Sequence, residues 1–596
     1  MGTAMSGDGR HRRRMRFALP IGAAGVAAAV AAALMTTSAG AATAFDPTLK
    51  APAISTVSQA ELKARVAGGL AGGDIAGQQT SKSSLSSSTS SGSVDPKIIG
   101  GSTTTISSAP WMAQLFYQDT TNDVYFFCGG AVVSPTKILT AAHCVKGYNW
   151  AKYGAIVTGA TKLPDDSGNT TGSVAGAVRQ WNHPSYSART IDNDIAVITL
   201  DRPAKATPIR MTTSTDTTSY KAGTSAKLYG WGRTSSTTQD VSDTLKTATL
   251  PIQSDATCAG YYGADFIKGH MVCAGNPATG SDAGTTTACN GDSGGPLVVS
   301  GRIVGVVSWG VTDCVEKGAY SVFSKVSTYL GAAYAQVDDA NMSYTDNKAD
   351  IFVRNASTKT GYQKNSKGTS FGARQDLNDW GGVNLVLQTD FDGDSVQDIV
   401  FRRGDTGDVY WMHWDWSLDD WSTKVIFSNW KSRTRIVTPG DLTGDYKPDL
   451  VSVDSAGKAW LYPGKGNGTF SARVQIGTGT GWNSYNMVRG KGDFNGDGKA
   501  DLIARNKSDG ALYLYKGTGK ASAPFSARVK VRTWSNTTYN AFDAVGDITG
   551  DGKADFLART PGGTLYLYKG TGKATSEIFA TKISVGTDFK QYDIFG

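Results

Sequence analysis

Ser293 stands in CNGDSGGPL (289–297), held between glycines. A serine hydroxyl attacks a carbonyl only when a base takes its proton and donors receive the charge that develops on the attacked oxygen. The backbone N–H groups of Gly291 and Ser293 can form such an oxyanion hole. His143, one of five histidines, lies in LTAAHC (139–144) and can serve as the base. An acid that holds the imidazole in one tautomer is offered by DNDIAVITL (192–200), where Asp192 and Asp194 compete. A glycine-flanked serine also suits an ordinary turn, and a histidine beside a cysteine also suits a structural role. The three in the chain order His, Asp, Ser point to acyl transfer.

A second set of candidate groups repeats along the C-terminal half. DFDGDSVQD (390–398), DLTGDYKPD (441–449), DFNGDGKAD (493–501) and DITGDGKAD (547–555) place oxygen side chains at positions 1, 3, 5 and 9. These are Asp390, Asp392, Asp394 and Asp398; Asp441, Thr443, Asp445 and Asp449; Asp493, Asn495, Asp497 and Asp501; and Asp547, Thr549, Asp551 and Asp555. Alternating oxygens of this kind wrap one hard cation, so Ca2+ is expected there as a structural ion, with no cofactor for catalysis. The bland alternative is an Asp-Gly turn, but four in-phase copies weigh against it.

These groups need a scaffold, and 596 residues are too many for one core; about three or four domains are expected. The formal charge is +8, of which Arg10, Arg12, Arg13, Arg14 and Arg16 against Asp8 supply half. The remainder carries no basic run, which argues against nucleic acid as a partner. Residues 1–44 read as a signal peptide: RHRRRMRF, an Ala-rich run from Ala18 to Met35, and Ala42-Thr43-Ala44 as a cleavage site before Phe45. A membrane anchor is the alternative, since the run approaches spanning length. No later segment is apolar enough to span, so a secreted, extracellular protein is expected. Residues 45–97 are Ala-, Gly- and Ser-rich and end in SKSSLSSSTSSGS before Val94, which predicts a flexible propeptide.

Residues 98–335 show short β-type runs such as WMAQLFY, DIAVITL and RIVGVVSWG between turn clusters, an all-β pattern. Six cysteines (Cys128, Cys144, Cys258, Cys273, Cys289, Cys314) fall in this segment, an even number that suits disulfides in an exported chain. From 339 to 596 the acidic motifs recur 51, 52 and 54 residues apart, and a decayed copy, MSYTDNKAD (342–350), precedes them. A period near 50 with several strands per unit predicts β-propeller blades, five in number.

Six segments together carry a resemblance: IIGG at 98, LTAAHC at 139, DNDIAVI at 192, GWG at 230, CNGDSGGPL at 289 and SWG at 308. Residues 98–335 resemble the chymotrypsin/trypsin family of serine proteases, which implies a two-barrel fold and peptide-bond hydrolysis of protein or peptide substrates. By that resemblance His143 is base and then acid, Asp194 rather than Asp192 orients it, and Ser293 attacks. It also implies the disulfides Cys128–Cys144, Cys258–Cys273 and Cys289–Cys314. Cleavage at Lys97–Ile98 by an activating protease of basic preference would free an ammonium at Ile98 to pair with Asp292. The substrate pocket would be formed by Thr287, Ser308, Trp309, Gly310 and Gly318. Thr287 at its base is neutral, which favours large apolar side chains; Lys/Arg specificity through Asp313 or Glu316 is the alternative. The repeats resemble the FG-GAP/VCBS blades of integrin-like propellers, where such loops bind calcium. Nine tryptophans between Trp380 and Trp534 serve packing or, by analogy, a polymeric or cell-surface ligand. An adhesion protein with an inactive protease domain is the alternative of another class.

Overall fold

The β-type runs of residues 98–335 pair into two antiparallel sheets that curl as half-barrels. The computed structural model describes residues 46–52, 54, 57–71, 98–535 and 537–596. The first half-barrel orders its strands Ser173–Ala175, Gly154–Thr158, Met112–Asp119, Val124–Ser134, Lys137–Thr140, Ala196–Leu200 and Ala177–Asn182. The second runs Met271–Ala274, Ser321–Lys325, Arg302–Trp309, Pro296–Val299, Ser225–Gly230, Lys246–Pro251 and Ser102–Thr103. Each encloses its own apolar cluster, with Leu115, Ile138 and Ile198 in the first and Leu228, Leu297 and Phe323 in the second. All six cysteines are bridged, as Cys128–Cys144, Cys258–Cys273 and Cys289–Cys314. The helix Val326–Val337 closes the domain.

The repeats form five blades. Four are antiparallel four-stranded sheets, beginning at Val383, Arg433, Tyr485 and Ala541. In the remaining blade, Tyr592–Phe595 pairs with Ile351–Asn355, so the last strand completes the first blade. The innermost strands Val383–Thr389, Arg433–Gly440, Tyr485–Arg489, Ala541–Gly546 and Tyr592–Phe595 neighbour one another in a closed ring. Each acidic motif lies between the first and second strand of its blade. Six of the nine tryptophans are buried, among them Trp380, Trp411 and Trp482, which is the packing role.

One expectation needs correcting. Residues 57–71 are not a flexible tract: Gln59–Ala71 is an α-helix capped by Ser58, whose Oγ accepts the Glu61 N–H at 3.1 Å. Leu62 and Val66, one turn apart, are fully buried against the first half-barrel. The small-residue composition that reads as unstructured here permits close helix–sheet packing. The segment expected to be a signal peptide, the Ser-rich tract and Lys97 lie outside the described residues.

Candidate active site and cation loops

The strand Lys137–Thr140 runs into a single 3-10 turn, Ala142–Cys144, that presents His143. Its Nδ1 lies 2.8 Å from Asp194 Oδ2. Asp194 is fully buried and its carboxylate is saturated with donors: the His143 N–H at 2.8 Å on Oδ1 and the Ser308 hydroxyl at 2.6 Å on Oδ2. Its carbonyl accepts the Ser324 hydroxyl at 2.6 Å, which fixes the main chain as well. Asp192 points elsewhere and meets His270 Nδ1 at 2.7 Å. With Nδ1 committed to Asp194, Nε2 is left to act as the base; it is buried and has no hydrogen-bond partner among the described residues.

The turn that carries Ser293 is joined by its backbone to the strands of the first half-barrel, next to the one that leads to this histidine. The Ser293 carbonyl accepts the Gly129 N–H at 2.7 Å. A Cβ on Gly294 would lie 2.1 Å from Thr140 Oγ1 and 2.4 Å from Gly129 O, so only glycine lets the serine turn reach the histidine strand. Gly291 has φ +93° and a Cβ there would press on Gly232 and Val241 at 3.0 Å. Asp292 is fully buried and accepts N–H bonds from Gly232 at 2.8 Å and Cys289 at 3.0 Å. Burial nevertheless pushes its carboxyl up to about 7, the two donors only moderating the effect.

Among the residues expected to form the substrate pocket, the Thr287 hydroxyl lies 2.8 Å from that of Ser321, and both side chains are buried. Glu316 is exposed and accepts the Tyr261 hydroxyl at 2.9 Å, while Asp313 is exposed. Gly318, at φ +90°, faces the Tyr261 ring, and Gly310 has open space where a side chain would stand. Trp309 packs edge-on against Tyr262.

Residues 98–332 match the Trypsin family, and residues 493–558 match the FG-GAP-like repeat. The Trypsin of Saccharopolyspora erythraea is 36% identical over 241 residues, covering 40% of this chain and 98% of that protein. Trypsin-3 of Salmo salar is 34% identical, over 39% of this chain and 90% of its own length. Kallikrein-14 of Homo sapiens is 36% identical, over 39% of this chain and 81% of its own length.

The chain belongs to the trypsin family. This trypsin-family protease is a serine endopeptidase joined to FG-GAP-like repeats folded as a five-bladed propeller, and its disulfides pair as that family implies.

The four acidic loops of the propeller are not equivalent. In the first, Asp390, Asp392 and Asp398 each bring a carboxylate oxygen within 4.8 Å of the others. Asp392 Oδ1 and Asp398 Oδ1 are buried without a hydrogen-bond partner, and Asp392 Oδ2 lies 3.4 Å from His413 Nδ1. Burial and mutual repulsion hold the carboxyls of Asp390, Asp394 and Asp398 well above the usual range. Trp411 and Trp416 donate indole N–H bonds to Asp398 and Asp394, at 2.7 and 2.6 Å. Crowded, buried and partly unsatisfied oxygens of this kind fit a hard divalent cation. The first residue accepts backbone N–H bonds on both oxygens in the first loop too, as Asp390 does from Asp394 and Ser395, but only in the other loops does the ninth residue do so, as Asp449 does from Leu442 and Gly464. Thr443 and Thr549 turn their hydroxyls onto Asp441 and Asp547. Asn495 donates to Asp501 at 2.8 Å.

These loops also hold the protease domain, a role their sequence did not announce. The Ser134 hydroxyl donates to Gly393 O at 3.0 Å and Thr136 Oγ1 meets Ser395 Oγ at 2.5 Å. Arg210 donates to Gly444 O at 3.1 Å, and Ser214 to Asp497 O at 2.9 Å. Beside them the buried Lys137 and Arg179 both pair with Asp339 of the connector. Burial lowers Lys137 to about 8, against the opposing pull of Asp339.

Proposed function

We propose that this trypsin-family protease is a secreted zymogen, cut between Lys97 and Ile98 by an enzyme of basic preference, that then hydrolyses peptide bonds after large apolar side chains. The observation that carries the activation reading is Asp292: fully buried, given two N–H donors, and paired with no basic side chain among the described residues. An ammonium freed at Ile98 supplies the missing charge. Ile98 is fully buried, and the Ile99 carbonyl accepts the Thr287 N–H at 3.0 Å, so the two segments already lie together.

In the reaction, Ser293 attacks the substrate carbonyl as His143 Nε2 takes its proton, and the N–H groups of Gly291 and Ser293 receive the oxyanion. His143 returns the proton to the leaving amine, and the acyl-enzyme is then hydrolysed. Asp194, with three donors besides its own charge, keeps Nδ1 protonated and steadies the imidazolium. At the pocket base the hydroxyl pair of Thr287 and Ser321 offers no charge to a substrate cation, which would be buried unpaired. The exposed Glu316 is the runner-up, and would have to leave Tyr261 to meet a lysine or arginine. Profiling a peptide library with the form that begins at Ile98 decides between them: cleavage mainly after Lys or Arg would overturn the neutral-pocket reading.

The propeller is proposed to hold Ca2+ in the Asp390–Asp398 loop and to bind a polymeric or cell-surface target. Its acidic-loop face is engaged by the protease domain, so such a target meets the opposite face or the rim. A Ser293→Ala chain incubated with insoluble polymer or whole cells reports binding free of proteolysis, and failure to sediment with any of them would reject the targeting role.

A further inference from the structure

The described residues between 46 and 71 precede the activation bond, yet they are built into both folded parts of the molecule. Asp46–Pro47 pair antiparallel with the edge strand Gln375–Asp379 of the first blade, and the Thr48 N–H donates to Leu377 O at 3.3 Å. Proline is tolerated there because an outermost strand has no further neighbour to donate to. Ile54 packs in the cluster of Tyr344 and Trp414 from the propeller side and Val178 from the protease domain. The helix Gln59–Ala71 then lies on the strands Met112–Asp119, Val124–Ser134 and Gly154–Thr158.

The fit of this helix is specific. Leu62 and Val66 are fully buried, and the buried Arg65 donates to Gly154 O at 3.0 Å while pairing with Glu61. A Cβ on Gly68 would meet the Gln118 side chain at 2.1 Å, and one on Gly69 would meet Phe116 at 3.0 Å. Gly168 approaches from the other side: a Cβ there would lie 2.1 Å from Lys63 O. Two adjacent glycines cost a helix roughly 2 kcal/mol relative to alanine. Here they are what allows its last turn to touch the sheet. The strand beneath, Met112–Asp119, is buried along its length apart from Gln118.

Nothing covalent ties this segment to the chain beyond the activation bond, because every cysteine is bridged within residues 128–314. The two ends of the connecting tract also dock on different half-barrels. The helix sits on the first, whereas Ile98 is buried in the apolar cluster of the second. A cut before Ile98 and the relocation of its new terminus therefore disturb no contact made by the helix.

We propose that residues 46–71 stay seated after activation as a non-covalent light chain that clasps the protease domain to the propeller. The inference rests on the Lys97–Ile98 cut proposed above, and the test separates the two. The full chain is treated with a lysine-specific endopeptidase, desalted by size exclusion and weighed by mass spectrometry under denaturing and native conditions. Two chains with a new terminus at Ile98 in the first measurement, and a single complex of their summed mass in the second, are expected. A cut chain that has shed the N-terminal fragment overturns the light chain while leaving the activation reading intact. If no terminus at Ile98 forms, the activation reading falls instead. The clasp is then tested on a chain nicked at a site-specific protease sequence inserted after Ser87, where loss of the fragment again overturns it. The mild substitutions Arg65→Ala and Gly69→Val each should speed fragment loss on dilution at least tenfold; an unchanged rate for both refutes the contacts assigned to the helix.

Discussion

Replacing Asp292 by asparagine tests the activation reading at the group on which it turns. The carboxyl is fully buried, and burial raises it from its ordinary 3.8 to about 7 despite two N–H donors. At about 1.4 kcal/mol per tenfold change in ionisation, keeping it charged and unpaired costs about 4 kcal/mol. An ammonium placed beside it recovers an amount of that order, since breaking a buried ion pair costs ~3–5 kcal/mol. The form beginning at Ile98 is therefore expected to exceed the uncut chain in kcat/KM by about 100- to 1,000-fold, and Asp292→Asn should erase most of that gain. Cleavage of a chromogenic peptide, with active sites counted by a fluorophosphonate, measures both. The pH dependence carries an independent sign. In the uncut chain the folded-state carboxyl binds its proton more tightly than the unfolded one, so stability is lost as pH rises from about 4 to about 7. Pairing removes that loss, so the melting temperature of the cut form should pull ahead of the uncut form across the same window. A cut Asp292→Asn enzyme that keeps more than a third of wild-type kcat/KM, with a gap in melting temperature that does not widen, would refute the reasoning.

Thr287→Asp places a carboxylate beside Ser321 and should move library preference toward Lys and Arg by about 100-fold; an unmoved profile would mean that Thr287 does not floor the pocket. Chelation, or Asp398→Asn, should lower the melting temperature of the propeller by roughly 5–10 °C in calcium, as loss of a cation held at a hundredfold its Kd implies. Asp449→Asn, in a loop whose oxygens are spent on the backbone, should abolish less of the response to added calcium. Asp339→Asn strands the buried Lys137 and Arg179 and should cost ~3–5 kcal/mol, read as a lowered denaturation midpoint. Lys137→Met and Arg179→Met together with Asp339→Leu should recover much of it, and no recovery would argue against an electrostatic cause.

The serine-endopeptidase class was legible in the sequence because its motifs are local. His143, Asp194 and Ser293 each sit in a short motif, and a period near 50 residues marks five blades. What it did not carry are pairings between distant elements. Gly68 and Gly69 look like chain-breaking residues until Phe116 and Gln118 are set beneath them. The four acidic loops look alike as strings, and only three-dimensional crowding at Asp390, Asp392 and Asp398 distinguishes the first. Lys137 reads as an ordinary surface lysine at the head of a strand; its burial depends on Asp339, 202 residues on.

The closure of the ring has a consequence for synthesis. Arg354, in the first blade's own strand, pairs with Asp593 across 239 residues of chain. A ribosome delivers the protease domain, four complete blades and three strands of the first blade before Tyr592–Phe595 emerges, and until then the first blade exposes an unpaired inner edge. Nascent or prematurely terminated chains thus offer a docking groove for the equivalent strand of a neighbour. Strand-exchanged oligomers are the natural failure product of this architecture, and the last four-residue strand acts as its quality seal.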